Sequence, residues 1–160
     1  MTQGVNKALD QVDMTYDQLV GIANDIIEEV TSDINVLIQS AYNNVNNLTN
    51  DELRQYMLTL SLRAYSFCEI KEKSAFKASL AEILRKESHA KIFNTTDGTA
   101  GNRENTAIIN TAEETLAEEI YTLVSALFKT KLDSIYRVVD TLKTVLMSRI
   151  SEAKMSTIEA

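Results

Sequence analysis

Four glutamates, Glu113, Glu114, Glu118 and Glu119, crowd into seven residues, and carboxylates grouped on a helix can hold metal ions inside a helical bundle. Di-metal bundle sites need paired Glu-x-x-His elements. The one histidine, His89, has Lys86 three residues before it, so the ligand set is incomplete. The four acids read as a solvated acidic face, and no metal or other cofactor is expected. His89 reads as an exposed residue of a last helical turn, near the negative end of the helix dipole. As a general base it would have no nucleophile to serve.

Three other groups invite a chemical reading. Asp97-Gly98-Thr99-Ala100-Gly101 precedes a helix and could form a small anion-binding nest. It lacks both the Lys-Ser/Thr ending and the preceding strand of a phosphate loop, and reads as a capped turn. Cys68 falls beside Ala64, Phe67 and Met57 on an apolar face, where a buried, inert thiol is the ordinary outcome. Tyr56, Tyr65, Phe67 and Phe76 interleave with Lys71, Lys73 and Lys77, a mixture able to stack bases and neutralise phosphates of single-stranded nucleic acid. The plainer alternative is a core stripe with a solvated basic face. No catalytic motif emerges, and an enzyme is not expected.

These residues sit on long helices. The chain has no Pro and four Gly in 160 residues, so helices can run without a stop, and the composition points to an all-α fold. Val5, Leu9, Val12, Tyr16, Leu19, Ala23, Ile26 and Val30 alternate steps of four and three, a coiled-coil-like seam that continues after a stutter through Ile34, Leu37 and Ala41. The first helix is predicted over 3–45 and ends in the Asn-rich patch Asn43 to Asn47. Thr49-Asn50-Asp51-Glu52 is a capping box opening a second helix over 50–92, whose buried face includes Leu53, Leu60, Phe67 and Leu84. Ala and Ser around Ser74 to Ser79 would let a neighbouring helix come close. After the turn at Asn94 to Gly101, apolar residues recur at helical spacing to Ile150, predicting a third helix over 103–154, about 75 Å long. The expected architecture is a single elongated domain, an antiparallel bundle of three long, coiled-coil-like helices.

Charge follows the same arrangement. The net charge is −7, which argues against indiscriminate nucleic-acid binding. The first helix is strongly acidic and the second carries a basic excess, so an antiparallel hairpin lays Asp10 to Asp33 beside Arg63 to Lys86. The third helix opens acidic and closes basic, as its dipole prefers. One cysteine precludes an internal disulfide and suits a reducing compartment. Neither a signal peptide nor a membrane span is legible, so a cytoplasmic location without membrane contact is expected.

Gly98-Thr99-Ala100 with Arg103-Glu104 and Ala107, leading into Tyr121-x-Leu123, Lys131-Leu132-Asp133-x-Ile135 and Ser148-Arg149-Ile150-Ser151, resembles small helical phage proteins with an extended terminal helix. UvsY-type recombination mediators typify that group. The resemblance covers Lys71 to Ala153 and rests on helical-pattern motifs. It implies a homo-oligomer that binds single-stranded DNA and helps a recombinase displace a single-strand-binding protein. The acidic first helix departs from that pattern.

Two functions follow as expectations. The first is a non-enzymatic, phage-type accessory protein for recombination or replication, binding single-stranded DNA or a recombination protein. Its DNA contacts would come from Lys71, Lys73, Lys77, Arg85 and Lys86, with Lys129, Lys131 and Arg137 as a second set. The alternative is an inhibitor or scaffold that meets a protein, such as a host protein, through its helices and never touches DNA. In either case Leu123, Leu127, Phe128, Ile135 and Val139 are expected at an interface between copies, because the third helix is apolar on more than one side there.

Overall fold

The computed structural model describes the backbone of residues 2–158 and the side chains of residues 15 and 17–156. The described chain is all-α, with α1 (Thr2–Asn44), α2 (Asn50–Thr95), α3 (Ala100–Asn110) and α4 (Ala112–Ile158). No helix among the described residues is long and apolar enough to cross a membrane.

The stretch expected as one third helix is two helices, separated at Thr111. Its backbone sits at φ −110° and ψ 15°, off the helical values, and its N–H donates to the Ala107 carbonyl at 3.1 Å. The Thr111 hydroxyl donates to that same carbonyl at 2.9 Å. Thr106, Thr115, Thr141 and Thr144 make the same bond back to residue i−4 without interrupting their helices, so what sets Thr111 apart is its backbone.

The first turn is built as the capping box requires. Glu52 accepts from the Thr49 N–H at 2.7 Å and from the Thr49 hydroxyl at 2.8 Å, while the Glu52 N–H donates to Thr49 Oγ1 at 3.3 Å. These bonds to the charged form hold the Glu52 carboxyl below its ordinary range. In the second turn Gly98 takes φ +119°, which side chains other than glycine rarely adopt. Thr99 then caps α3 by accepting from the Asn102 N–H.

The chain groups into two compact units, Met1–Ile27 with Lys71–Leu127, and Glu28–Ile70 with Phe128–Ala160. The second unit has a core of large side chains, among them Ile34, Leu53, Leu60, Phe67, Phe128, Ile135 and Leu142. Phe67 and Phe128 meet edge to face with ring centroids 5.7 Å apart. Here α1 and α2 run antiparallel: Arg63 bonds Asp33 at 2.7 Å, and further along Ser40 and Tyr56 share a hydrogen bond of 3.0 Å. The first unit buries smaller groups, Ala23, Ile27, Ser74, Ala81, Ala107, Thr111 and Val124 among its described residues. Small side chains let α2 and α4 approach, and Arg85 on α2 pairs with Glu118 on α4 at 2.8 Å.

The seam of α1 differs from the expected one. Val12 and Tyr16 lie outside the described side chains, and Leu19 is half-buried. From Ala23 onward the buried residues are Ile27, Thr31, Ile34 and Ala41, while Ile26 and Val30 are each 38% exposed. The helix takes two successive steps of four after Ala23, which follows 3.6 residues per turn more closely than a strict 3.5 repeat does. Thr31 is nearly the shape of valine and fills the core position, but its hydroxyl is buried with no hydrogen-bond partner. On α2 the correction is similar: Leu84 is exposed and Ala81 takes the inward place.

Candidate interaction surface

The bases expected to meet phosphate are mostly engaged within the chain. Lys71 bonds Glu72 at 2.9 Å, Lys86 bonds Glu82 one turn back on α2, and Arg85 is held by Glu118. That hydrogen bond raises Arg85 above its ordinary value, and Lys86 correspondingly holds Glu82 below the ordinary carboxylate range. Lys77 places its ammonium 4.9 Å from the centre of the Tyr121 ring, a cation–π contact. Lys73 is exposed on α2 and has an interaction of its own. On α4, Lys131 is half-buried and donates to Asn35 at 3.1 Å. Lys129 and Arg137 are exposed, but Asp133 and Asp140 alternate with them at helical spacing. Charge alternates in sign along that face, with no run of positive charge. The expected pairing of helix-two bases with α1 acids holds at Arg63 and Asp33, whereas Arg85 and Lys86 find acids on α4 and on α2. Asp10 lies outside the described side chains.

The expected contact residues between copies on α4 are largely used at home. Phe128 and Ile135 are 0% exposed, so neither offers surface to another molecule; Leu123, Leu127 and Val139 are half-buried.

The remaining chemical candidates separate likewise. His89 is half-buried instead of exposed, with Nε2 3.3 Å from Glu104 and its ring stacked on Phe93. Cys68 is half-buried, with Sγ 3.8 Å from the Tyr136 hydroxyl. That contact, with partial burial, raises the Tyr136 pKa. Glu118 bonds Arg85, and no group of three or more His, Cys, Asp or Glu among the described residues could hold a metal. A hollow of about 340 Å³ in the second unit is lined by Leu37, Glu52, Gln55, Tyr56 and Thr59, with Glu52 already committed to its cap.

What stands out is the outward side of α2. In the second unit it exposes Leu58, Leu62 and Tyr65, the last 78% exposed; in the first unit it exposes Phe76, Leu80 and Ile83, with Phe76 at 70%. Within each unit the spacing is one helical turn per residue, a stripe of apolar groups on the side away from Leu60 and Ala81. Isolated exposed apolar residues are ordinary, but aligned large ones mark contact surfaces. A reading that follows one seam per helix misses this stripe. The legible signal was a second set of steps of four and three starting at Leu58. Comparison with protein-family models, with curated proteins and with solved structures finds no match for this chain.

Proposed function

We propose that this chain is a non-enzymatic helical binding module that works by contact with protein and does not grip single-stranded DNA. The observation that carries this reading is α2, which in each of the two units turns one side to the core and exposes three large apolar side chains on the other. Of the bases that a DNA reading needs, Lys71, Lys86 and Arg85 are paired with Glu72, Glu82 and Glu118, and Asp133 and Asp140 intersperse with Lys129 and Arg137 along α4, whereas DNA binding is driven by unbalanced positive charge within a Debye length. The resemblance to small phage proteins supplies a setting for the proposal: an accessory or inhibitory factor whose effect on recombination or replication passes through a protein surface.

The test is fluorescence anisotropy with labelled oligo-dT at about 50 mM salt, where phosphate contacts are strongest. The expected result is no binding at micromolar protein. Binding that weakens steeply as salt rises, and that Lys73→Glu with Lys77→Glu abolishes, would overturn the proposal in favour of the DNA-binding accessory role.

A further inference from the structure

We propose that α1 has two seats in the second unit and turns between them by about 50° around its own axis, exchanging Thr31 for Val30 in the core. The rotation is independent of the outward stripe on α2. Every residue it involves lies in the second unit.

Two seams run down α1 here and share two residues. Thr31, Ile34, Ile38 and Ala41 take steps of three, four and three, whereas Val30, Ile34, Leu37 and Ala41 take steps of four, three and four. Either ladder is a sound way to pack one helix against its neighbours. Ile34 and Ala41 are fully buried, and Leu37 and Ile38 are both half-buried. The choice of seam therefore falls on Thr31, which is fully buried, against Val30, which is partly exposed. At about 100° per residue the centres of the two seams stand about 50° apart.

Polar ties hold the observed seat, and its own core opposes it. Lys131 donates to Asn35 at 3.1 Å, Arg63 bonds Asp33 at 2.7 Å, and Ser40 shares a hydrogen bond with Tyr56. Against these, the Thr31 hydroxyl is sealed from water with no partner, while a valine of nearly the same shape is left partly exposed beside it. Turning α1 by about 50° carries Val30 inward and Thr31 outward, toward the half-buried side where Asn35 now stands one turn on. There the hydroxyl meets water, and Asn35 swings away and gives up its bond to Lys131. A close-packed groove would resist such a turn, but the hollow of about 340 Å³ lies between α1 and α2 beside Leu37, Tyr56 and Thr59. Packed helices shift between discrete seats and do not slide continuously, so the two exchange, with the minor one populated at about 0.1–10%.

Thiol labelling of the full chain in a Cys68→Ser background tests the exchange. Single cysteines are placed by Val30→Cys, Thr31→Cys, Ala41→Cys and, on α2, Ala64→Cys, the last two at positions buried in either seat. Thr31→Cys is expected to react at about 0.1–10% of the Val30→Cys rate, and at least about tenfold faster than Ala41→Cys or Ala64→Cys. Adding Asn35→Ala, which removes the tie to Lys131, should raise Thr31→Cys labelling about two- to tenfold and leave Ala41→Cys unchanged. Adding Val30→Ser, which takes away what the second seat buries, should lower it several-fold. Thr31→Cys reacting no faster than Ala64→Cys overturns the proposal, because Thr31 is then reached only when the whole unit opens. Equal, fast labelling at Thr31→Cys and Ala41→Cys also overturns it, since α1 would be lifting off instead of turning. Fast labelling of Thr31→Cys that Val30→Ser leaves unchanged is local breathing, and sinks the exchange as well.

Discussion

The Arg149 guanidinium reaches back 104 residues to donate to the Val45 carbonyl at 3.0 Å. The same group donates to Asn46 at 3.0 Å and to Leu48, so one side chain from α4 satisfies three carbonyls of the turn that ends α1. Carbonyls at the end of a helix have no partners of their own, and a fixed fork of donors suits them better than an ammonium does.

Arg149→Ala is expected to cost on the order of 2 kcal/mol, the range for hydrogen bonds to a charged group in a partly buried setting. Arg149→Lys should recover only part of it, because the guanidinium reaches Leu48 from one nitrogen and Val45 and Asn46 from another, and the compact ammonium has a single nitrogen to place. Urea melts followed by circular dichroism would measure both. An alanine variant that melts like the parent would show that water replaces the guanidinium.

Thr31 supplies a prediction of opposite sign. Its hydroxyl is fully buried without a partner, and removing an unsatisfied polar atom while keeping the shape stabilises a core. Thr31→Val should gain about 1 kcal/mol. Thr31→Ser, which keeps the hydroxyl and deletes the methyl, should lose stability. The pair of melting temperatures decides the point.

The register of α1 is tested by two neighbours. Ile27 is 4% exposed and Ile26 is 38% exposed. Ile27→Asp buries an unpaired charge and should cost several kcal/mol, whereas Ile26→Asp should cost little. Equal losses would place the seam between the two residues.

Acid weakens the first turn through Glu52. Its folded pKa is lowered, chiefly by the Thr49 N–H and then by the Thr49 hydroxyl, from an ordinary value of 4.5. The stabilisation is therefore present above that ordinary value and is lost as pH falls through the folded one. Glu52→Gln keeps a capping side chain but removes the charge. Its melting temperature should lie below the wild type's at neutral pH and converge with it in acid, a difference that thermal melts across pH 2 to 7 would follow.

Much of this was legible along the chain because it depends on neighbours three or four residues apart. The Thr49–Glu52 cap, the turn at Gly98 and the all-α class are local, and each is found where its residues stand. What periodicity cannot settle is which of two adjacent apolar residues faces inward. Ile26 and Ile27 are equivalent in type, and Val30 outranks Thr31 in hydrophobicity, yet the packing of α1 against its neighbours takes Ile27 and Thr31. The role of Arg149 was hidden for a different reason. Its partners are backbone oxygens about a hundred residues away, and a carbonyl leaves no mark in residue type. The outward stripe of α2 was readable in principle, since Leu58, Leu62 and Tyr65 keep helical spacing, but a single seam per helix absorbs attention first.

The interruption at Thr111 has a bearing on the four glutamates that follow it. Had the helix run on unbroken, Glu113 and Glu114 would stand in mid-helix, one turn from Glu118 and with no end charge to answer them. Because α4 begins afresh at Ala112, both acids fall in its first turn, where unpaired amides present a partial positive charge. Glu118, one turn further, is free of that role and binds Arg85. The break at Thr111 thus places two of the four acids that resemble metal ligands at the start of a 47-residue helix.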